Sequence, residues 1–219
     1  MSSTAVLERS EAKASSYARG RLGSILAVAP LGVWTVLHLW NNLAVYRGGA
    51  AWEEAVTHHA HPLSQLITLI LVMVPLLIHA GWGILRLRTS RPNAGHTFGY
   101  FGNLKYVLQR LSAIGLLGFL GAHIYLAMLK PRLLEGHAEA FTDIAHEMHH
   151  HGPTLTVYLL GTLAVSYHLA NGLATFAMGF GIVSSRRALK KVDLVSYGLF
   201  RLFMAMSWGA IYGLYTAGA

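Results

Sequence analysis

Four histidines, His38, His79, His123 and His168, each stand inside a long apolar run of the chain, and the fifth such run has none. An ionisable side chain at membrane depth costs on the order of a few kcal/mol unless it is paired or ligated. One such histidine can be a structural residue that bonds a carbonyl of the next helix. One in each of four successive runs reads as a set. Four buried imidazoles suit two sites of two nitrogen ligands each, which is what six-coordinate haem iron requires of inward-facing residues in a helix bundle. A zinc site would gather about four ligands at one depth, and these four lie at different depths.

The elements that carry them follow from composition. The chain has 219 residues, 54% hydrophobic and 12% charged, with a mean hydropathy of +0.46. That places it among membrane proteins. Apolar runs predict an all-α membrane protein with five transmembrane helices over about 22–46, 62–85, 106–129, 153–183 and 194–216, the first four bundled around two b haems. Residues 1–20 lack the apolar core of a signal peptide and read as a cytoplasmic tail, so that 21–219 is one transmembrane domain. Pro30 and Pro75 are tolerable as kinks in membrane helices. There is no cysteine, which excludes thiolate-held iron–sulfur clusters, disulfides and covalent haem attachment on this chain.

The formal charge of +8 sits in clusters between apolar runs rather than along one soluble face, so a membrane and not a nucleic acid accounts for it. With the N-terminus in the cytoplasm and the C-terminus outside, only Arg47, Lys130 and Arg132 of the 17 lysines and arginines fall on the outer side. In that orientation His38 and His123 come late in outward-running helices, while His79 is about two turns from the basic inner boundary at Arg86. His38 and His123 therefore form the outer pair. His168, near the middle of its run, is assigned to His79 by elimination.

Other residues have support roles in this reading, each beside a plain alternative. Asn42, four residues after His38, and Asn171 with Gly172, after His168, can bond a ligand or link helices. Gly81 and Gly83, and the series Gly115, Gly118 and Gly121, clear space for a flat group or a second helix. Arg21, Arg86, Lys105 and Arg110 suit haem propionates at the inner side, or serve as positive-inside anchors. Two segments, 47–61 and 130–152, read as outer loops. The first offers Glu53, Glu54, His58, His59 and His61 for a quinone or proton site, and the second holds His146 and the run His149 to His151, a surface cluster able to take zinc or copper.

Particular stretches carry a family likeness. They are Arg21-Leu22 opening the first helix, Pro30 eight residues before His38, Pro75-Leu-Leu-Ile-His79-Ala-Gly-Trp-Gly, Asn93-Ala-Gly, Val107-Leu-Gln-Arg110 ahead of His123, and His168-Leu-Ala-Asn171-Gly172. In this order and spacing, from Arg21 to about Gly213, the chain resembles the single-subunit, five-helix dihaem cytochrome b anchors of bacterial succinate dehydrogenases and fumarate reductases. The resemblance implies two haem b groups, the proximal on His79 and His168 and the distal on His38 and His123. It implies a place in the bacterial cytoplasmic membrane, bound on the cytoplasmic face to a flavoprotein subunit with FAD and an iron–sulfur subunit. The succinate-oxidising site would then lie off this chain, which would react with a quinone, commonly menaquinone, or run the reverse reaction from fumarate. Some relatives use a glutamate in the fourth helix to move protons. The stretch Val165-Ser166-Tyr167-His168 has no carboxylate, so that route is expected to be missing here.

The competing reading is a dihaem cytochrome b of a hydrogenase or formate dehydrogenase. A metal transporter would need carboxylates within its spans, and a cofactor-free anchor leaves the four histidines unexplained.

Overall fold

The computed structural model describes residues 21–57, 62–89 and 100–219. The expected tail over 1–20, the candidates His58, His59 and His61, and the Asn93-Ala-Gly stretch lie outside the described residues. Among the described residues the chain is helical, with no strand. In order come α1 (Arg21–Arg47), α2 (Gly49–Val56), and α3, which joins Pro62–Thr68, Leu69–Met73 and Val74–Thr89. Then come α4, from Tyr100–Ile124 through Tyr125–Leu129 to Pro131–Glu135, α5 (Phe141–His150), α6 (Gly152–Gly179) and α7 (Arg186–Ala217).

Among the described residues, four stretches are long and apolar enough to cross a membrane: Arg21–Arg47, Leu66–Arg88, Asn103–Glu135 and Arg186–Ala217. The 28-residue α6 is not among the four. Its hydropathy is diluted by Thr154, Tyr158, Thr162 and Ser166, all buried against neighbouring helices, where polar side chains act as interhelical links. α4 and α7 begin at Tyr100 and Arg186, ahead of the apolar runs at 106 and 194. The helical ladder does not need apolar side chains and continues into the polar zone, where Ser185 caps α7 by accepting a hydrogen bond from the Ala188 N–H at 3.2 Å.

Wide, π-helical turns at Ala27–Gly32, Leu69–Met73, Tyr125–Leu129 and Pro131–Glu135 surround or adjoin Pro30, Pro75 and Pro131. Proline lacks the N–H and crowds the carbonyl four residues back, so the ladder opens locally instead of breaking. Outward-facing side chains such as Leu66, Leu77, Leu117 and Leu160 stay exposed, the face a lipid environment covers.

α6 packs chiefly between α4 and α7, and α1 lies against α7. Leu39, Ala170, Phe203 and Met206 form one buried cluster at their meeting. Close approach depends on small residues: a side-chain carbon at Gly161 would collide with the Phe119 ring, and one at Gly213 would come 2.6 Å from Val45.

The segments 47–61 and 130–152, read from sequence as loops, instead contain helices that cap one end of the bundle. α2 buries Trp52 to 1% exposure and α5 buries Ile144, Ala145 and Met148. Trp52, Ile144 and Met148 join Ala44, Val45, Phe119, Tyr158, Ile211 and Leu214 in a second cluster. Full burial of side chains of this size contributes on the order of 1.5–3 kcal/mol each, enough to hold short helices that charge-rich sequence alone would not form. α5 has no side-chain cap of its own. Its first N–H, from Phe141, donates to Glu53 Oε1 at 2.8 Å, which puts a carboxylate at the positive end of the helix.

Candidate functional site

The four histidines are brought together as two pairs. His38 on α1 and His123 on α4 have ring centroids 5.9 Å apart, and His79 on α3 and His168 on α6 are 6.3 Å apart. Two imidazoles on opposite sides of one metal, each bonded at about 2.0–2.1 Å, have centroids roughly 6 Å apart. Both pairs therefore have a separation at which one metal fits between the rings.

In three of the four rings Nδ1 has a hydrogen-bond partner. His79 Nδ1 lies 3.2 Å from the Gly23 carbonyl of α1. A carbonyl can only accept, so Nδ1 carries the proton and Nε2 keeps its lone pair. His123 Nδ1 is 3.0 Å from the Tyr158 hydroxyl. Phe119 stacks beside the His123 ring with centroids 5.4 Å apart and rests on Gly161 of α6. His168 Nδ1 has Ser112 Oγ at 3.4 Å and Gln109 Nε2 at 3.2 Å. Ser112 donates to the Gln109 carbonyl at 3.0 Å, which leaves its oxygen free to accept from Nδ1–H. Gln109 in turn donates to the His168 carbonyl at 3.2 Å and accepts from Asn171 Nδ2 at 2.7 Å. Histidines that bind metals have this arrangement, with one ring nitrogen held by a hydrogen bond and the other presented.

His38 differs from the other three. Its ring stacks on Trp34 one turn earlier, with centroids 4.6 Å apart. Asn42 Nδ2 donates to the His38 carbonyl at 2.9 Å and lies 3.4 Å from Nε2. Asn42 Oδ1 accepts from Trp52 Nε1 at 3.3 Å, which ties the outer pair to the cap. Of the glycines singled out by sequence, Gly81, Gly83, Gly118 and Gly121 are exposed and a side-chain carbon there would touch nothing within 4 Å, whereas one at Gly115 would come 3.4 Å from Ala164 of α6.

Asn42 and Asn171 thus act next to the rings, Asn171 through Gln109. The basic candidates are spread along the opposite end from the cap. Arg21 lies over the Phe180 ring at 4.6 Å and Arg110 over Tyr106 at 3.5 Å. Lys105 Nζ is 2.7 Å from Asp193 Oδ1, and Arg86 is exposed near the end of α3. Gln109, Ser112, Tyr158 and Trp34 were not singled out by sequence. Gln109 fell within a quoted motif, and the others gave no signal in the chain order.

Glu53, Thr57, His137, Glu139 and Asp143 line a cavity of about 420 Å³ in the cap. Glu54 is exposed. Burial pushes the Glu139 carboxyl up to about 7, against the pull of Arg132 and with the repulsion of Asp143. Such a group exchanges its proton near neutral pH.

Comparison with known proteins gives two likenesses. The family model described as "Succinate dehydrogenase/Fumarate reductase transmembrane subunit" matches residues 91–215. The chain is 28% identical over 197 residues to the succinate dehydrogenase cytochrome b558 subunit of Bacillus subtilis (strain 168), covering 90% of this chain and 94% of that one. No solved structure matches the chain.

Proposed function

The chain belongs to the succinate dehydrogenase/fumarate reductase transmembrane-subunit family, and from that premise we propose that it is the anchor and electron-transfer subunit of a succinate:quinone oxidoreductase. The observation that carries this reading is the pair of histidine pairs, at 5.9 Å and 6.3 Å, on four different helices. His38 with His123, and His79 with His168, would each hold one haem b. With both axial positions filled, such a haem supplies one-electron transfer and no open position for oxygen.

The chain's own residues orient and insulate these positions. Gly23, Tyr158 and Ser112 fix three of the rings through Nδ1, as hydrogen-bond partners of metal-bound histidines do. All five long helices, α6 included, cross the bacterial cytoplasmic membrane in this reading, with the N-terminus inside and the C-terminus outside. Arg21, Arg86, Lys105 and Arg110 then lie at the cytoplasmic end, beside the flavoprotein and iron–sulfur subunits that hold FAD and the clusters. At the outer end Glu53, Glu54, His58, His59 and His61 are assigned to proton delivery to a quinone, menaquinone by preference, since its reduction consumes two protons.

Three measurements on the purified complex test this. A reduced-minus-oxidised visible spectrum is expected to resolve two b-type components, and a featureless trace would end the haem assignment. A covalently bound flavin is expected in a co-purifying subunit, whereas nickel or molybdenum there would assign the chain to a hydrogenase or formate dehydrogenase instead. Alanine at 58, 59 and 61 together is expected to slow quinone reduction, and an unchanged rate would remove those histidines from the site.

A further inference from the structure

The cap holds a second cluster of metal-ligating side chains, far in sequence from His38, His79 and His168. α4 ends at Glu135, and Gly136, at φ 78°, turns the chain so that His137 comes back beside it. His137 Nδ1 lies 2.8 Å from the Ala138 carbonyl. The carbonyl can only accept, so the proton is on Nδ1 and Nε2 is presented as a donor to a metal. Nε2 is 3.9 Å from Glu135 Oε2. One ligand atom from each of Glu135, His137 and Asp143 lies within 4.8 Å of the other two.

An independent feature of the same place calls for a cation. The Glu139 side chain is 9% exposed and lines the same cavity as His137 and Asp143. Among the described residues it makes no hydrogen bond or ion pair. A buried carboxylate without a hydrogen bond or ion pair is costly; Arg132, the base whose charge reaches it, donates instead to the Ala127 and Met128 carbonyls at 3.4 and 3.3 Å, and Lys130 is 3.3 Å from Glu135 Oε1, on the oxygen not facing His137.

We propose that Glu135, His137 and Asp143, with Glu139 behind them, form a binding site for a divalent transition metal of the zinc class. The donor set selects that class: one imidazole nitrogen with carboxylate oxygens suits Zn²⁺ at four-coordination, whereas Ca²⁺ takes about 6–8 oxygens. Tetrahedral bonding brings ligand atoms to roughly 3.4 Å of one another, so the three exposed side chains, with ligand atoms within 4.8 Å, close through rotamer changes. Glu135 is the last residue of α4, His137 stands in the turn that follows it, and Asp143 is on α5. The metal therefore staples the cap helix to the third long helix, above the outer histidine pair.

The test uses the purified complex stripped with EDTA and titrated with zinc chloride, and it needs neither haem nor succinate activity, so it stands apart from the proposed function. One Zn²⁺ per chain is expected. His137→Gln and Asp143→Asn are each expected to weaken binding at least tenfold, and Co²⁺ in place of Zn²⁺ is expected to give a d–d absorption that His137→Gln abolishes. Melting in EDTA should be the same for His137→Gln and the parent, with Zn²⁺ raising the midpoint of the parent alone. The rival is the surface run in which His150 lies 4.5 Å from His146 and 4.6 Å from His149 between ring centroids. Binding that survives His137→Gln but is lost in His150→Ala would overturn the proposal, as would the absence of any stoichiometric zinc.

Discussion

At the scale of the residue, the two pairs make separable claims. His168→Ala is expected to remove the haem held with His79 and leave the spectrum of the outer one largely intact; loss of only the outer component would show that the pairs are wrongly drawn. Tyr158→Phe is a finer probe. The hydroxyl is 3.0 Å from His123 Nδ1 at a position 8% exposed, and its loss leaves that ring nitrogen without this partner. Removal of such a partner typically costs about 10–100-fold in metal affinity. The outer haem should therefore be lost more readily, and its midpoint shifted, while the inner one holds in a redox titration. The histidines could be read from sequence because each is the one histidine in its apolar run. Tyr158, Ser112 and Gln109 could not, because serines, tyrosines and glutamines are common in such helices and these act on rings that lie 35, 56 and 59 positions away.

At the scale of the element, the long helices were legible and the cap was not. Hydropathy marks where a helix enters the membrane, but α5 is acidic and histidine-rich, and only Ile144, Ala145 and Met148 of its residues are buried. Its stability comes from the cluster around Trp52 and from a carboxylate that belongs to another helix. Glu53→Ala removes that acceptor from the Phe141 N–H and is expected to cost about 0.5–2 kcal/mol, the usual worth of an N-cap. Limited proteolysis between 130 and 152 should quicken accordingly, and an unchanged cutting rate would mean that the apolar cluster alone holds α5. Gly161→Leu acts on a different contact. It drives a side chain into the Phe119 ring, so overpacking of about 1–3 kcal/mol is expected, with the outer haem, next to Phe119, lost before the inner one.

At the scale of the whole molecule, α6 is the central helix and carries no carboxylate anywhere from Gly152 to Gly179. In the proposed function succinate is oxidised on the cytoplasmic side and quinone reduced at the outer end, so two electrons would cross outward while protons are released inside and consumed outside. Each elementary charge moved across the membrane is worth about 2.3 kcal/mol per 100 mV. In that reading electrons run toward the positive outer face, so the membrane potential would drive menaquinone reduction, and α6 has no carboxylate to carry a compensating proton. The cap carboxylates proposed to deliver protons, Glu53 and Glu54, would do so only from their own side. Succinate:menaquinone activity of the complex reconstituted in vesicles with a proton gradient, positive on the cap side, should therefore fall when an uncoupler collapses the gradient. The reverse reaction, from menaquinol to fumarate, should rise under the same treatment. Rates that ignore the uncoupler in both directions would mean that charge is compensated by a path through the bundle, or that quinone is reduced at the inner end, near His79 and His168.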